Sequence, residues 1–337
     1  MKHSNKLPGI GAALGILVLI LDGKTAITGA QEGIELCLRT VIPSLFPFFL
    51  LSIVLTSSVL GAPSHLLRPL QKLCRIPSGS EPILLTGFLG GYPVGAQSAA
   101  NAYENGQLSK QAAERLLMFC NNAGPSFLFG IIGSQFPGMI FPWLLWGIHL
   151  LSAVEVSFLF PPVSSSPVMP AVSKSVTLPE ALQKALTVMA TVCGWVIVFR
   201  VILTFLNRWI FWLFPREFQV MLTGILELAN GCCSLSKIDH VGLRFLCCAG
   251  MISFGGICVT LQTASVIGKL DIRYYLKGKL LQTFFSLVLA SVCQFFFPME
   301  VRVPVPMGFC GVGILSVCLI FALQRKNNSR NPAALGV

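Results

Sequence analysis

Apolar runs of membrane length dominate this chain and restrict the folds that are open to it. Residues 41–60 form a run of about 20 residues, the length that an α-helix needs to cross the hydrocarbon core of a bilayer. Comparable runs occupy residues 138–160, 185–214, 280–297 and 305–323. Only 11% of the residues are charged and 54% are hydrophobic, so we expect an all-α, polytopic membrane protein.

For two apolar runs, the sequence does not decide how they meet the membrane. The run 185–214 contains Arg200 and Arg208, so it is either one long tilted helix or a span followed by an interfacial segment. Residues 7–21 follow a basic start, as in a signal peptide, but no small-residue cleavage site comes directly after them. This pattern favours an uncleaved first span.

Two polar segments rich in glycine and proline interrupt the first half of the chain. The sequence reads GGYPVGA at residues 90–96 and NNAGP at residues 121–125. Irregular backbone at membrane depth survives only where protein buries it or where it lines a cavity filled with water. Paired interruptions of this kind point to the substrate site of a transporter. The interruptions therefore favour a permease as the class of protein.

A Pro/Ser-rich linker at residues 161–180 divides the chain into two halves that share a weak pattern. A motif that begins at Gly87 has a counterpart at Gly224, and Arg115 has a counterpart at Arg244. The sequence therefore predicts two pseudo-repeats with re-entrant or broken helical hairpins. The predicted parts are a first transmembrane half, the linker, a second half with the last span, and a cytoplasmic tail, at residues 1–160, 161–180, 181–324 and 325–337.

The basic loops predict an orientation for the chain. Lysine and arginine concentrate in cytoplasmic loops. We therefore expect both chain ends on the cytoplasmic side, together with a basic cluster formed by Lys269, Arg273, Lys277 and Lys279. The Pro/Ser linker contains a single lysine, Lys174, and is expected on the opposite side.

Polar and ionisable side chains near the interruptions are candidates for a substrate site, because such groups inside a membrane usually serve a function. A tyrosine can stack on a planar ligand, and the backbone groups at a helix end can hold an ion or a carboxylate. An arginine can attract an anion, and an intramembrane glutamate can bind a proton or pair with an arginine. The candidates are Tyr92, Gln97, Asn101, Arg115, Asn121, Asn122, Ser126, Glu227 and Arg244.

Several other functions lack the residues that they require. The formal charge of +11 is spread between apolar runs, without the basic and aromatic face that nucleic acids bind. The 12 cysteines form no C-x-x-C pair and lack histidine partners, so no metal or other cofactor is expected. No nucleotide-binding or protease motif occurs. We therefore expect a protein that is not an enzyme.

The motifs at 90–96 and 121–127, with the polar helix 108–117 between them, resemble the YlbJ-type sporulation integral membrane proteins of the nucleoside-recognition Gate group. The resemblance implies a transporter that moves dipicolinate out of the mother cell toward the forespore, across the outer forespore membrane. The partners that it implies are the lipid bilayer and a small anionic substrate. A coupling proton or sodium ion and a homo-oligomer are left open.

Two rival functions stay open at this point. One is a permease for nucleosides or another small metabolite, as the Gate group suggests. The other is a non-transporting scaffold for a sporulation complex, against which the short loops of the chain argue. Substitution of Arg115 and Arg244 should separate the first rival from an anion carrier, because a neutral nucleoside does not need a cationic site.

Overall fold

The computed structural model describes residues 6–59, 67–163 and 176–296, and the regular elements in those ranges are all helices. The predicted span at 305–323, the tail and most of the linker lie outside the described residues. The helices of the first half are α1 (Lys6–Leu21), α2 (Gly23–Leu36), α3 (Ile42–Val59), α4 (Arg68–Cys74), α5 (Glu81–Gly90), α6 (Val94–Glu104), α7 (Lys110–Leu117), α8 (Pro125–Phe127) and α9 (Ile140–Leu159). Those of the second half are α10 (Leu178–Trp209), α11 (Arg216–Leu226), α12 (Leu228–Cys233), α13 (Val241–Phe254), α14 (Gly256–Val266) and α15 (Ile272–Phe296).

Five helical stretches in the described ranges are long and apolar enough to cross a membrane. They are Gly23–Leu55, Ile140–Leu159, Leu178–Trp209, Val241–Val266 and Ile272–Phe296. The first of them joins α2 to α3 through a π-helical turn, so the helix at 41–60 begins much earlier than predicted. Most of the run 185–214 belongs to one long helix, α10. A capping box stabilises the N-terminus of this helix. The predicted all-α, polytopic membrane fold is confirmed.

The GGYPVGA motif forms the bend of a helical hairpin between α5 and α6. Gly91 at the bend has a φ of +82°, which glycine adopts without strain. Gly87 on α5 faces Gly95 on α6 so closely that a Cβ on Gly95 would lie 2.8 Å from the Cα of Gly87. The carbonyl oxygen of Cys120 rests against both glycines. The missing side chains therefore let the segment after α7 cross the hairpin with backbone against backbone.

The second half contains the same arrangement. A hairpin between α11 and α12 bends at Glu227, and Gly224 on α11 packs directly against Gly231 on α12. Met251 on α13 crosses this hairpin, since a Cβ on Gly224 would lie 2.5 Å from its Sδ. The crossing helix then breaks at Gly255, between α13 and α14. Both halves thus place a broken helix across a hairpin, as two pseudo-repeats require, while the exact domain boundaries stay a prediction.

The structure contradicts the predicted placement of the linker and the basic cluster on opposite sides. Glu114 and Arg115 are neighbours on α7. The backbone N–H of Asp271, just before α15, donates to Glu114, and Arg115 donates to the carbonyl oxygen of Ser157 near the end of α9. The linker after α9 and the loop before α15 therefore emerge at the same end of the bundle. A linker with one lysine carries too little charge to predict its side.

Candidate functional site

A cavity lies where the two hairpins and the two crossing segments meet. Its volume, measured over the positions open to the centre of a water molecule, is about 40 Å³, enough for about three waters. Apolar side chains from the surrounding helices form much of its lining. The interruptions of both halves line it through Gly91, Tyr92, Ala123, Gly124, Glu227, Leu228, Ala229, Val259 and Gln262. Because the predicted interruptions meet around it, this cavity is the candidate substrate site.

Tyr92 joins the cavity to a buried polar network. Its hydroxyl donates to the carbonyl oxygen of Ile252 at 2.7 Å. That carbonyl belongs to the last turn of α13, where a helix leaves acceptors unused. The ammonium of Lys279 donates to the same hydroxyl at 3.2 Å and lies 4.9 Å from the centre of the ring. Tyr92 therefore links the first hairpin to α13 and to α15.

Lys279 is a buried cation that lacks an acidic partner in the described ranges. It is 1% exposed, and none of the ion pairs found there includes it. Besides Tyr92, its ammonium donates to Gln282 Oε1 at 2.7 Å and to Asn122 Oδ1 at 3.4 Å. Buried charges are normally paired with an opposite charge, so Lys279 is a strong candidate for binding an anion. Its predicted place in a cytoplasmic loop is wrong.

A signal for this buried face was present in the sequence of α15 and was missed. Because Lys279 follows Lys277 closely, the local density of charge predicts that it belongs to the basic loop. However, Tyr275, Lys279, Gln282 and Ser286 recur at the spacing of a single helix face, inside an otherwise apolar helix. All four side chains are buried in the structure. The recurrence of polar residues at helical spacing therefore predicts the buried position of Lys279 better than the local density of lysines does.

Asn121 and Asn122 fasten the segment between α7 and α8 to the second half of the protein. Asn121 Nδ2 donates to Thr263 Oγ1 on α14 at 3.0 Å. Asn122 Oδ1 accepts from Gln282 Nε2 at 2.8 Å, and Asn122 Nδ2 donates to the carbonyl oxygen of Phe119. Both asparagines are 0% exposed. Two of the predicted site residues are thus part of the scaffold around the cavity, and Asn122 also belongs to the Lys279 network.

His149 completes the network, and its hydrogen bonds define its tautomer. The backbone N–H of Ala123 donates to Nε2 at 3.0 Å, so that nitrogen carries no proton. Nδ1 then carries the proton and donates to Ser253 Oγ at 3.1 Å. A serine that accepts a hydrogen bond from histidine is not activated as a nucleophile. The pair therefore holds α9, α13 and the Ala123 segment together, which the isolated position of His149 in the sequence did not indicate.

Glu227 is the carboxylate that lines the cavity. It is 2% exposed, and its Oε1 accepts from the backbone N–H of Ala229 at 3.0 Å. Its Oε2 accepts from the backbone N–H and the side-chain Nδ2 of Asn230, both at 2.6 Å. Asn230 Oδ1 in turn accepts from Arg200, which forms an ion pair with Glu32 at 2.9 Å. These bonds stabilise the ionised carboxylate and fix its position.

Neither Arg115 nor Arg244 lines the cavity. The guanidinium of Arg115 donates to three backbone carbonyls, two at the C-terminal end of α4 and one near the end of α9, at 2.9 to 3.2 Å. The guanidinium of Arg244 donates to the backbone carbonyls of Ile238 and Gln135, at 2.7 to 2.9 Å. The two arginines thus share a role that the sequence did not suggest, which is to hold loops at the ends of helices.

We expect the variants Arg115→Met and Arg244→Met to lower the melting temperature of the protein and to leave the affinity of the cavity for its ligand nearly unchanged. Each variant leaves carbonyls without donors, at a cost of about 1–3 kcal/mol per buried group. Thermal unfolding in detergent measures the effect, with Arg273→Met as the control, because its side chain is 80% exposed. A normal melting temperature with lost ligand binding would contradict this interpretation.

The remaining candidates lie near the bends without lining the cavity. Gln97 is half-buried on α6, and Asn101, one turn further along, is exposed. Ser126 at the start of α8 is buried, and its hydroxyl has no hydrogen-bond partner among the described residues. Its neighbour Phe127 does line the cavity. Of the predicted residues, Tyr92 and Glu227 are the two whose side chains the structure brings together around it.

Comparison with known proteins supports the resemblance noted in the motifs. No protein-family model matches this chain, and no solved structure matches it significantly. Sporulation integral membrane protein YlbJ of Bacillus subtilis (strain 168) is 24% identical over 317 residues, which cover 80% of this chain and 78% of that protein. The predicted resemblance is confirmed: this multi-pass, all-α membrane protein is similar to a YlbJ-type sporulation integral membrane protein over most of its length.

Proposed function

We propose that this protein transports a small organic anion across the membrane and that this anion is dipicolinate. The observation that carries the proposal is the buried ammonium of Lys279, which meets only neutral groups among the described residues and contacts the ring of a tyrosine that lines the cavity. An unpaired cation at membrane depth is costly and is therefore a sign of function. An anion in the cavity would supply the missing opposite charge.

The residues around the cavity suit a flat aromatic dicarboxylate such as dipicolinate. The rings of Tyr92 and Phe127 line the cavity and offer faces for stacking. Lys279 and the amide of Gln282 do not line the cavity in this structure, and they would be the donors for a carboxylate once the site widens. A space for about three waters is too small for such a ring, so the site must widen to bind it. Separation of the hairpins from the segments that cross them would open the site, as in other transporters with broken helices.

The name of the relative supports a role in sporulation. Dipicolinate passes from the mother cell to the forespore, and the resemblance implies that this chain carries it across the outer forespore membrane. A nucleoside permease would use the same cavity without needing Lys279. A scaffold would need neither the cavity nor the buried cation, which is why we favour transport.

Counterflow in proteoliposomes tests the proposal directly. Vesicles that contain the purified protein and unlabelled dipicolinate should take up labelled dipicolinate transiently, and vesicles without protein should not. The same vesicles loaded with uridine test the nucleoside alternative. Uridine counterflow without dipicolinate counterflow would replace the proposal by a nucleoside permease, and no counterflow of either compound would favour a scaffold.

Sporulating cells provide the second test. In a strain that lacks this protein, we expect dipicolinate to be low in the spore and retained in the mother cell, with rescue by the wild-type gene. The measurement is the dipicolinate content of the two compartments. Normal accumulation in the deletion strain would contradict the proposed transport.

A further inference from the structure

We infer that the transported anion enters the cavity together with a proton, which is bound by the carboxylate of Glu227. The inference rests on the proposed anion transport and deepens it by naming the coupled ion. Three observations carry it: Glu227 lines the same small cavity as Tyr92, its carboxylate is buried, and its oxygens accept hydrogen bonds from Ala229 and Asn230, which favour the ionised group.

Two negative charges cannot share this cavity at low cost. Glu227 lines the cavity, so an anion that binds there once the site has widened lies close to its carboxylate. Coulomb repulsion at such separations is strong away from bulk water, and a second carboxylate in a shared site makes the first one hold its proton. A proton on Glu227 removes the repulsion. It leaves one oxygen of the group able to accept the hydrogen bonds of Asn230.

The charged groups around Glu227 do not remove the need for this proton. Arg200 on α10 is the positive charge that attracts the carboxylate of Glu227. It already forms an ion pair with Glu32. Lys279 lies beyond Tyr92 and does not contact Glu227. The other titratable groups that face Glu227 are thiols and a phenol, which are neutral near pH 7: Cys37 beside α2, Cys232 and Cys233 on α12, Cys258 on α14, and Tyr92.

The proton and the anion therefore strengthen each other's binding, since such coupling is reciprocal. The anion-bound form carries Glu227 protonated and the anion beside it. When the cavity opens on the other side, the anion leaves and the proton follows, because Asn230 and the amide of Ala229 again favour the ionised group. One proton accompanies each anion in this cycle.

The affinity for dipicolinate as a function of pH tests the inference. For the wild type, the Kd measured by calorimetry should rise about tenfold per pH unit above the pH at which Glu227 releases its proton. The Glu227→Gln variant should bind with a Kd that hardly changes over roughly pH 6 to 9, where free carboxylic acids stay ionised. The matched control is Glu155→Gln, because Glu155 is buried on α9 but does not line the cavity. It should keep the pH dependence.

The outcomes separate this inference from the proposed function. A wild type that binds dipicolinate equally well at every pH would overturn the proton coupling and leave anion transport intact. A pH dependence that persists in Glu227→Gln would also overturn it, since another group would then be titrating. A wild type that binds no dipicolinate at any pH would contradict the proposed function itself.

A measurement on the wild type alone covers the case in which Glu227→Gln does not fold. Vesicles that contain the protein and a pH-sensitive dye in the lumen receive dipicolinate from outside. An inward gradient of dipicolinate should acidify the lumen, and vesicles without protein should show no change. Dipicolinate uptake without a change in luminal pH would overturn the inference.

Discussion

Replacement of Lys279 by methionine should weaken dipicolinate binding by about 10- to 100-fold, because a hydrogen bond to a charged group contributes about 1.5–3 kcal/mol. Methionine keeps much of the apolar stem of the side chain and removes the ammonium. Calorimetric titration of the detergent-solubilised protein measures the change in Kd, and counterflow should fall in parallel.

The melting temperature separates this role from a structural one. Lys279→Met removes a buried charge for which the described parts of the chain offer no acidic partner, and this removal by itself favours the folded state. The variant also leaves Gln282 Oε1 without the donor at 2.7 Å, which opposes that gain. Tyr92 keeps its bond to Ile252. We therefore expect a melting temperature close to that of the wild type or above it.

Lys277→Met is the matched control for Lys279→Met. Lys277 lies on the same helix, two residues earlier, and its side chain is exposed. The Lys277→Met variant should leave both the Kd for dipicolinate and the counterflow of dipicolinate unchanged. A Lys279→Met protein that folds, melts normally and binds dipicolinate like the wild type would remove the main support for an anion site.

Replacement of Gly87 by alanine should cause the largest loss of stability, at or above the upper end of the usual range of about 1–3 kcal/mol for overpacking. A Cβ on Gly87 would overlap the carbonyl oxygen of Cys120 and lie 2.8 Å from its carbonyl carbon. These are backbone atoms, so no side-chain rotation relieves the clash. The hairpin and the segment that crosses it would have to move apart, and this movement would disturb the cavity.

Gly147→Ala is the control for Gly87→Ala, since Gly147 also lies inside a helix but a Cβ there meets nothing within 4 Å. It should stabilise the protein slightly, by about 0.5–1 kcal/mol, because alanine favours the helix. Thermal unfolding followed by tryptophan fluorescence compares the two variants. Equal melting temperatures would show that the backbone crossing at Gly87 is not as tight as the structure indicates.

The interruptions could be predicted from the sequence because their cause is local. Glycine and proline at residues 90–96 and 121–125 cannot continue a helix, and irregular backbone at membrane depth must be buried or line a cavity. The match between Gly87 and Gly224 was visible for a similar reason, because a close approach of two helices requires small residues at fixed positions. The presence of a cavity at the interruptions is confirmed by the lining of both halves.

The charged residues could not be assigned in the same way. Arg115 and Arg244 stand at corresponding positions, yet their partners are carbonyls from other segments of the chain, which no local pattern reveals. Lys279 and Lys277 are both lysines near the start of α15, and one is buried while the other is exposed. The difference depends on which face of α15 packs against the first half.

The order and apolar character of the residues by themselves determined that this chain forms membrane-spanning helices, and where those helices break. These properties depend on the cost of placing backbone and charge in lipid, which acts on each segment separately. The tertiary structure alone decided which polar groups meet. It placed Tyr92, Asn122, His149 and Lys279 in one network and set Glu227 on the cavity. Those contacts join residues far apart in the chain, so they depend on how whole helices pack.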